Sequence, residues 1–183
     1  MNSVLRFSTE INMNIESYIR VTPDFPKPGI IFRDFTPLLA DGPAFKALID
    51  QLSARYAGKA IDVVVGIEAR GFVLASALAY ALGAGTVLIR KAGKLPHATH
   101  AQEYELEYGS SVLEISCDAL QAGQRVLVVD DVLATGGTIG AAVQLLSEHF
   151  AVSIEELAFL IELDDLKGRE KLPQLPIHSV FHY

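Results

Sequence analysis

Scarce residue types set the first limits on what this 183-residue chain can be. Its single cysteine, Cys117, excludes an intramolecular disulfide and leaves a cysteine-based zinc site without support, so we expect a small buried residue. No apolar run approaches the roughly 20 residues that a membrane-spanning helix needs. The first residues also lack the pattern of a signal peptide. The sequence therefore predicts a cytoplasmic protein that does not bind membranes.

Positive charge is also in short supply. The chain has 15 Lys and Arg against 22 Asp and Glu, giving a net charge of −7. Proteins that wrap nucleic acid need a basic face, so nucleic acid is not an expected partner. Small anions remain possible ligands, because helix N-termini and a few basic side chains hold them locally. No linker or repeat divides the chain, and we expect one domain over residues 1–183.

The hydrophobic pattern alternates between strands and helices. Apolar residues at helical spacing follow Asp41-Gly42-Pro43 and predict a helix to Tyr56. IDVVVG from Ile61 and TVLIRK at 86–91 are apolar on both faces, which is typical of buried parallel strands. Further strands are predicted in QRVLVVDD, ELAFLIEL and IHSVFHY. The fold class is α/β, a Rossmann-like, mainly parallel sheet flanked by helices.

Residues 92–104 show no periodicity and contain Gly93 and Pro96. They predict a mobile loop, followed by an antiparallel pair that turns at Gly109 and Ser110. The length and polarity of the loop suit a lid that excludes water from a reaction site.

The most informative segment is VLVVDDVLATGGT, residues 126–138. A turn of small residues that opens a helix at Thr138 favours a phosphate, because its N–H groups and the helix dipole face the anion. Asp130 and Asp131 would repel a phosphate, so they should face a diol or a cation. A ribose 5-phosphate satisfies both demands. The simpler alternative is an acidic pair that caps a turn before an ordinary helix start.

The segment resembles the phosphoribosyl pyrophosphate motif of the type I phosphoribosyltransferases. FPKPGIIFRDFTPLL (25–39), GIEARGF (66–72), RKAGKLP (90–96), LEYG (106–109) and LKGREKL (166–172) resemble the adenine phosphoribosyltransferases in particular. The resemblance implies the type I phosphoribosyltransferase fold with a small N-terminal hood, residues 1–40. It also implies a homodimer that makes AMP and pyrophosphate from adenine and phosphoribosyl pyrophosphate, with Mg²⁺ bound mainly through the pyrophosphate.

The resemblance further implies roles for single residues around the sugar and its phosphates. Asp130 and Asp131 would bind the ribose hydroxyls, and Arg70 the pyrophosphate. Glu107 would handle the proton of the base, unless it is only an outward strand residue. The remaining substrate contacts would be Ala134, Thr135, Gly136, Gly137 and Thr138 at the 5′-phosphate, with Arg90, Lys91, Lys94 and Tyr108 nearby. Lys94 could equally be a solvated charge.

For the base, the resemblance implies that the backbone of Ile31 reads the adenine edge and Phe32 stacks on the ring. Arg33 would hydrogen-bond a ring nitrogen and Leu163 would cover the other face. Phe32 could equally be ordinary core. Two other functions remain as alternatives. One is transfer to hypoxanthine, guanine or xanthine, although the FRD segment favours adenine; the other is a regulator that senses phosphoribosyl pyrophosphate.

Overall fold

A computed structural model of the chain describes residues 13–105 and 109–183. The chain divides into two compact units, Met1–Gln51 and Leu52–Tyr183, and the division falls within a helix. No helix in the described ranges combines the length and the apolar character that a membrane crossing needs.

The first unit contains a β-hairpin and short helices. β1 (Arg20–Pro23) pairs antiparallel with β2 (Ile31–Asp34), and a 3₁₀ turn at Ile15–Tyr18 precedes them. Asp34 then starts α1 (Thr36–Ala40), because its Oδ1 accepts the backbone N–H of Thr36 at 2.9 Å and the Thr36 hydroxyl at 2.7 Å. α2 runs from Gly42 to Tyr56, as the apolar spacing predicts. Asp41 caps its first turn by accepting the N–H of Ala44.

The second unit is a seven-stranded sheet with helices. The strands are β3 (Val63–Ile67), β4 (Gly85–Lys91), β5 (Thr99–Glu105), β6 (Ser110–Ser116), β7 (Arg125–Leu133), β8 (Ser153–Glu162) and β9 (Ile177–His182). Their order in the sheet is β5-β6-β4-β3-β7-β8-β9; the five strands from β4 to β9 in this order are parallel, and β6 and β5 extend the sheet antiparallel. The helices are α3 (Gly71–Leu82), α4 (Gly137–His149) and two 3₁₀ turns, Asp164–Leu166 and Gly168–Lys171.

The core of this unit lies where α3 and α4 cover the central strands. Every residue of β3 is buried, which explains why its sequence is apolar on both faces. Gly66 allows close packing there, since a Cβ at this position would lie 2.8 Å from the Cβ of Ala75 on α3. The predicted α/β class with a mainly parallel sheet is confirmed.

The predicted loop 92–104 is wrong in its second half. Residues 99–105 form β5, which pairs with β6 from Thr99↔Ser116 to Glu105↔Ser110. The sequence did not predict this strand, because its mostly polar side chains alternate between partial and full exposure and show no apolar periodicity. His100 stacks on His149 of α4, with ring centroids 4.0 Å apart. Whether this region closes as a lid stays a prediction.

Cys117 is exposed, which corrects the expectation of a buried thiol. It follows the last residue of β6, and its backbone N–H donates to the carbonyl of Ala98 at 3.0 Å. Its position after a strand end, rather than its residue type, decides its exposure.

Candidate active site

The acidic pair lies inside β7 rather than at its end, because the strand continues to Leu133. Asp130 and Asp131 are both buried, and the N–H of Asp131 donates to Oδ1 of Asp130 at 2.9 Å. Burial and the neighbouring carboxylate of Asp131 raise the pKa of Asp130 well above its usual value. The site therefore holds two carboxyl groups whose joint ionisation is unfavourable without a counter-charge.

Arg70 supplies a counter-charge. Its Nε lies 2.6 Å from Oδ2 of Asp131, while about half of its side chain is exposed. Gly71, the first residue of α3, makes this approach possible, since a Cβ there would lie 2.7 Å from Oδ1 of Asp130 and 3.0 Å from the carbonyl oxygen of Val129. Only glycine lets the loop after β3 come this close to β7.

The turn after β7 has the form of an anion cradle. Gly136 has a φ of +84° and caps α4, which begins at Gly137, one residue earlier than the sequence suggests. Within the described ranges, no backbone N–H from Thr135 to Thr138 donates a hydrogen bond to a protein group. A cavity of about 70 Å³ is lined by Asp130 and residues 132–139. The predicted acidic residue and the predicted phosphate turn thus share one cavity, and the helix N-terminus favours negative charge there.

The predicted cations of the RKAGK segment are not equivalent. Lys91 and Lys94 are exposed, but Arg90 is held by Glu68, whose carboxylate accepts its Nε–H at 3.2 Å and its Nη2–H at 3.3 Å. Nη1 of Arg90 donates to the carbonyl of Lys94 at 3.1 Å. The backbone N–H of Lys91 also donates to Glu68, at 2.9 Å, and this hydrogen bond is the main reason why the pKa of Glu68 is lowered.

Glu68 is not among the predicted site residues, although the sequence contains a signal for it. β3 and β4 pair in parallel with Ile67 opposite Ile89, so the next residue of each strand, Glu68 and Arg90, must emerge side by side. Opposite charges at the carboxyl ends of neighbouring parallel strands indicate such a pair. Part of the positive charge assigned to the substrate is therefore balanced by the protein itself.

The predicted base-binding residues lie in separate units. Ile31, Phe32 and Arg33 lie on β2, where Ile31 is 55% exposed and the other two are half-buried. Phe32 makes an edge contact with Phe25, with ring centroids 5.2 Å apart. Leu163 follows β8 in the second unit, half-buried, and its N–H donates to the carbonyl of Leu133. Glu107 and Tyr108 lie outside the described residues.

One group of metal-ligand side chains is found in the described ranges: Glu162, Asp164 and His182, with ligand atoms within 4.8 Å of one another. The Glu162 carboxylate is already bound by both Arg169 and the Ser179 hydroxyl. This group is an ion-pair network in its observed form.

The fold and the site together define a phosphoribosyltransferase of type I: a parallel sheet, a buried acidic pair and an anion cradle that opens a helix. Residues 38–173 match the phosphoribosyl transferase domain family. The chain is 57% identical over 170 residues to an adenine phosphoribosyltransferase of Roseiflexus sp. (strain RS-1), covering 93% of this chain and 98% of that protein. The chain belongs to the adenine phosphoribosyltransferase family.

Solved structures agree with this assignment. The adenine phosphoribosyltransferase of Thermoanaerobacter pseudethanolicus superposes with a TM-score of 0.88 at 47% identity, over 92% of this chain and 98% of that one. The Saccharomyces cerevisiae enzyme, solved with an imino-altritol bisphosphate and adenine, gives a TM-score of 0.85 at 41% identity, over 91% of this chain and 96% of that one.

Proposed function

We propose that this chain is a cytoplasmic, homodimeric purine-salvage enzyme that transfers the phosphoribosyl group of phosphoribosyl pyrophosphate to adenine. The products are AMP and pyrophosphate. The observation that carries the proposal is the shared cavity of Asp130 and the 134–138 turn. There, carboxylate oxygens that can accept hydrogen bonds from a diol lie beside backbone N–H groups that can donate to a phosphate. A ribose 5-phosphate needs both, one at each of its ends.

In this proposal the acidic pair accepts hydrogen bonds from the ribose hydroxyls, and the N–H groups from Ala134 to Thr138 bind the 5′-phosphate. Arg70 binds the pyrophosphate, with Lys91 and Lys94 as further positive charges and Tyr108 nearby. Arg90 contributes by positioning the RKAGK segment, because it hydrogen-bonds both Glu68 and the carbonyl of Lys94. Ile31, Phe32, Arg33 and Leu163 contact the adenine ring.

The reaction breaks the bond between the anomeric carbon and the pyrophosphate oxygen, and it forms a bond from that carbon to a ring nitrogen of adenine. Positive charge develops on the ribose and negative charge on the leaving group, so positioned charges lower the barrier more than a covalent nucleophile would. Glu107 takes the proton that the ring nitrogen loses. A Mg²⁺ ion that arrives with the substrate would be held mainly by the pyrophosphate and would neutralise part of its negative charge.

The side chains of the site fit a Mg²⁺ ion that arrives with its substrate. Carboxylates are the oxygen donors that Mg²⁺ prefers, and this ion typically takes one or two of them together with phosphates and water. Asp131 already faces Arg70 at 2.6 Å, so the protein balances this charge before an ion binds.

A panel of bases tests the substrate assignment. Pyrophosphate release is measured with phosphoribosyl pyrophosphate and adenine, hypoxanthine, guanine or orotate. We expect kcat/KM for adenine to exceed that for each other base by about 10²-fold or more, because a site that hydrogen-bonds one base edge leaves polar groups unpaired with another. A preference for hypoxanthine or guanine would assign the chain to a different purine, and no turnover with any base would refute the enzyme assignment.

Glu107→Gln tests the proton-handling role. The substitution keeps shape and polarity but removes basicity, so we expect kcat to fall by about 10²-fold with little change in adenine binding. Glu148→Gln, an exposed residue near the end of α4, is the matched control. A folded Glu107→Gln enzyme with normal single-turnover rates would remove Glu107 from the mechanism.

The homodimer is supported by α3. Its sequence, GFVLASALAYAL, has no charged residue, yet its outer face exposes Val73 and 91% of Tyr80. An uncharged apolar face is complementary to its own copy in a two-fold dimer. Tyr80→Asp should therefore shift the molecular mass measured by sedimentation from dimer to monomer, whereas a dimer that is unaffected would place the interface elsewhere.

A further inference from the structure

The LKGREKL segment has no role in the chemistry described so far, but it lies directly behind the phosphate turn. Gly168 is buried, and a Cβ there would overlap the carbonyl oxygen of Ala134 and lie 3.0 Å from the backbone nitrogen of Gly136. A Cβ at Gly136 would in turn lie 2.7 Å from the carbonyl oxygen of Gly168. The two backbones are in contact, with no room for a side chain on either.

The next residue anchors the segment to the sheet. Arg169 donates from Nε to Oε1 of Glu162 at 2.9 Å and from Nη2 to Oε2 at 2.6 Å, while Nη1 donates to the carbonyl of Ile177 at 3.2 Å. The buried Glu162 also accepts the Ser179 hydroxyl at 2.6 Å. Hydrogen bonds from Arg169 lower the pKa of Glu162, so the carboxylate stays ionised and the pair stays charge-assisted.

These contacts form a continuous path from the sheet to the turn. Glu162 ends β8 and Ile177 begins β9, so Arg169 is tied to two neighbouring strands at once. Leu172, just beyond, packs against the hydrophobic core. The segment cannot move away from the turn without breaking a bidentate ion pair, and the turn cannot move toward the segment without backbone overlap.

We infer that Arg169, through its ion pair with Glu162, is a positioning residue that holds Gly168 against the 134–136 turn and so fixes the geometry of the 5′-phosphate cradle. The inference rests on the proposed function for the identity of the phosphate. A cradle of N–H groups binds tightly only when the donors are already in place, since a displacement of about 1 Å can cost up to 10²-fold. Arg169 thereby acts through the backbone of its neighbour.

The test compares Arg169→Met with Arg125→Met. Arg125 forms a similar ion pair with Glu155 at 2.9 Å, and its side chain is 42% exposed against 43% for Arg169, but it begins β7 at the opposite end from the turn. Binding of ribose 5-phosphate is measured by calorimetry, and KM is measured for phosphoribosyl pyrophosphate and for adenine. We expect Arg169→Met to weaken ribose 5-phosphate binding and raise KM for phosphoribosyl pyrophosphate by about 10-fold or more. KM for adenine should change less than about twofold, and Arg125→Met should leave all three values unchanged.

Two further variants keep the test decisive if Arg169→Met does not fold. Arg169→Lys keeps the charge but loses the bidentate geometry, and Ser179→Ala removes one hydrogen bond to Glu162, so both should weaken ribose 5-phosphate binding in the same direction and less strongly. Normal ribose 5-phosphate binding in a folded Arg169 variant overturns the inference, and so does an equal loss for both substrates. Because ribose 5-phosphate binding needs no turnover, a wild-type protein that binds ribose 5-phosphate but releases no pyrophosphate from phosphoribosyl pyrophosphate and adenine refutes the proposed function alone.

Discussion

Asp130 and Asp131 place two carboxyl groups side by side in a buried strand, with one arginine as counter-charge. Such a pair costs free energy in the empty protein, because burial and mutual repulsion both oppose ionisation. A ligand that donates hydrogen bonds to the carboxylates recovers part of that cost. Groups with strongly shifted pKa values inside a cavity are typical of functional sites.

Asp130→Asn combined with Asp131→Asn should leave the fold intact and lower kcat/KM for phosphoribosyl pyrophosphate by about 10²-fold or more, because charged acceptors to a diol are lost. The midpoint of thermal unfolding should not fall sharply, since the raised pKa of Asp130 means that its ionised form is not stabilising. Asp165→Asn, an exposed residue, is the control. Near-normal activity of the folded double variant would contradict the ribose assignment.

Arg33→Ala should raise KM for adenine more than KM for phosphoribosyl pyrophosphate, because we assign Arg33 to the base. Steady-state kinetics with each substrate varied in turn measures the two effects. Arg20→Ala is the control, since Arg20 lies on the other strand of the same hairpin with 65% of its side chain exposed. An equal rise in both KM values would contradict the assignment of Arg33 to the base.

At the scale of elements, the site is built near the carboxyl ends of parallel strands, with the acidic pair still inside β7. Glu68 and Arg90 lie at adjacent positions because β3 and β4 pair in parallel. The acidic pair of β7 lies beside the start of α3. Ligand sites lie at this edge in open α/β sheets because every strand-to-helix loop emerges there. The Glu68–Arg90 pair joins two of these loops, so it couples the loop that carries Arg70 to the RKAGK segment.

Glu68→Gln should weaken pyrophosphate binding by about 3- to 10-fold while leaving KM for adenine unchanged, because Arg90 loses its charged partner and the loop loses its fixed position. Calorimetry with magnesium pyrophosphate measures the effect. In a double-mutant cycle with Arg90→Lys, we expect a coupling of about 0.5–3 kcal/mol. Additive effects of the two substitutions, or an equal defect in Glu155→Gln near the amino end of β8, would argue against the coupling.

Across the whole molecule, Glu156 links stability to pH. It is buried and accepts hydrogen bonds from Nε and Nη2 of Arg55 at 2.9 and 2.6 Å. Burial alone would raise its pKa, but the hydrogen bonds and positive charge of Arg55 outweigh burial, so the pKa of Glu156 is lowered from the ordinary value of 4.5. The stabilisation is therefore complete above that value and is lost as the pH falls through the lowered pKa.

Glu156→Gln should accordingly lower the unfolding midpoint most at neutral pH, and the difference from the wild type should shrink below about pH 4.5. Thermal unfolding followed by circular dichroism between pH 3 and pH 7 measures this, with the exposed Glu148→Gln as control. A difference that is constant across the pH range would show that Glu156 acts by packing and not by its charge.

The VLVVDDVLATGGT segment determined most of what the sequence by itself revealed. Its strand, acidic pair, turn and helix start are contiguous, so their chemistry follows from local spacing, and the predicted family, fold class and function are confirmed by relatives such as the Roseiflexus protein. The buried strands β3 and β7 were equally predictable from the sequence, because they must be apolar on both faces.

Tertiary structure decided the features that depend on distant partners. β5 is a strand because β6 supplies its hydrogen bonds, not because its own residues form an apolar pattern. Glu68 meets Arg90 through the register of two strands, and Arg169 meets Glu162 where a 3₁₀ turn returns to the end of β8. A charged side chain shows its charge in the sequence, but its partner depends on which backbone segments pack together, and only the folded chain determines that packing.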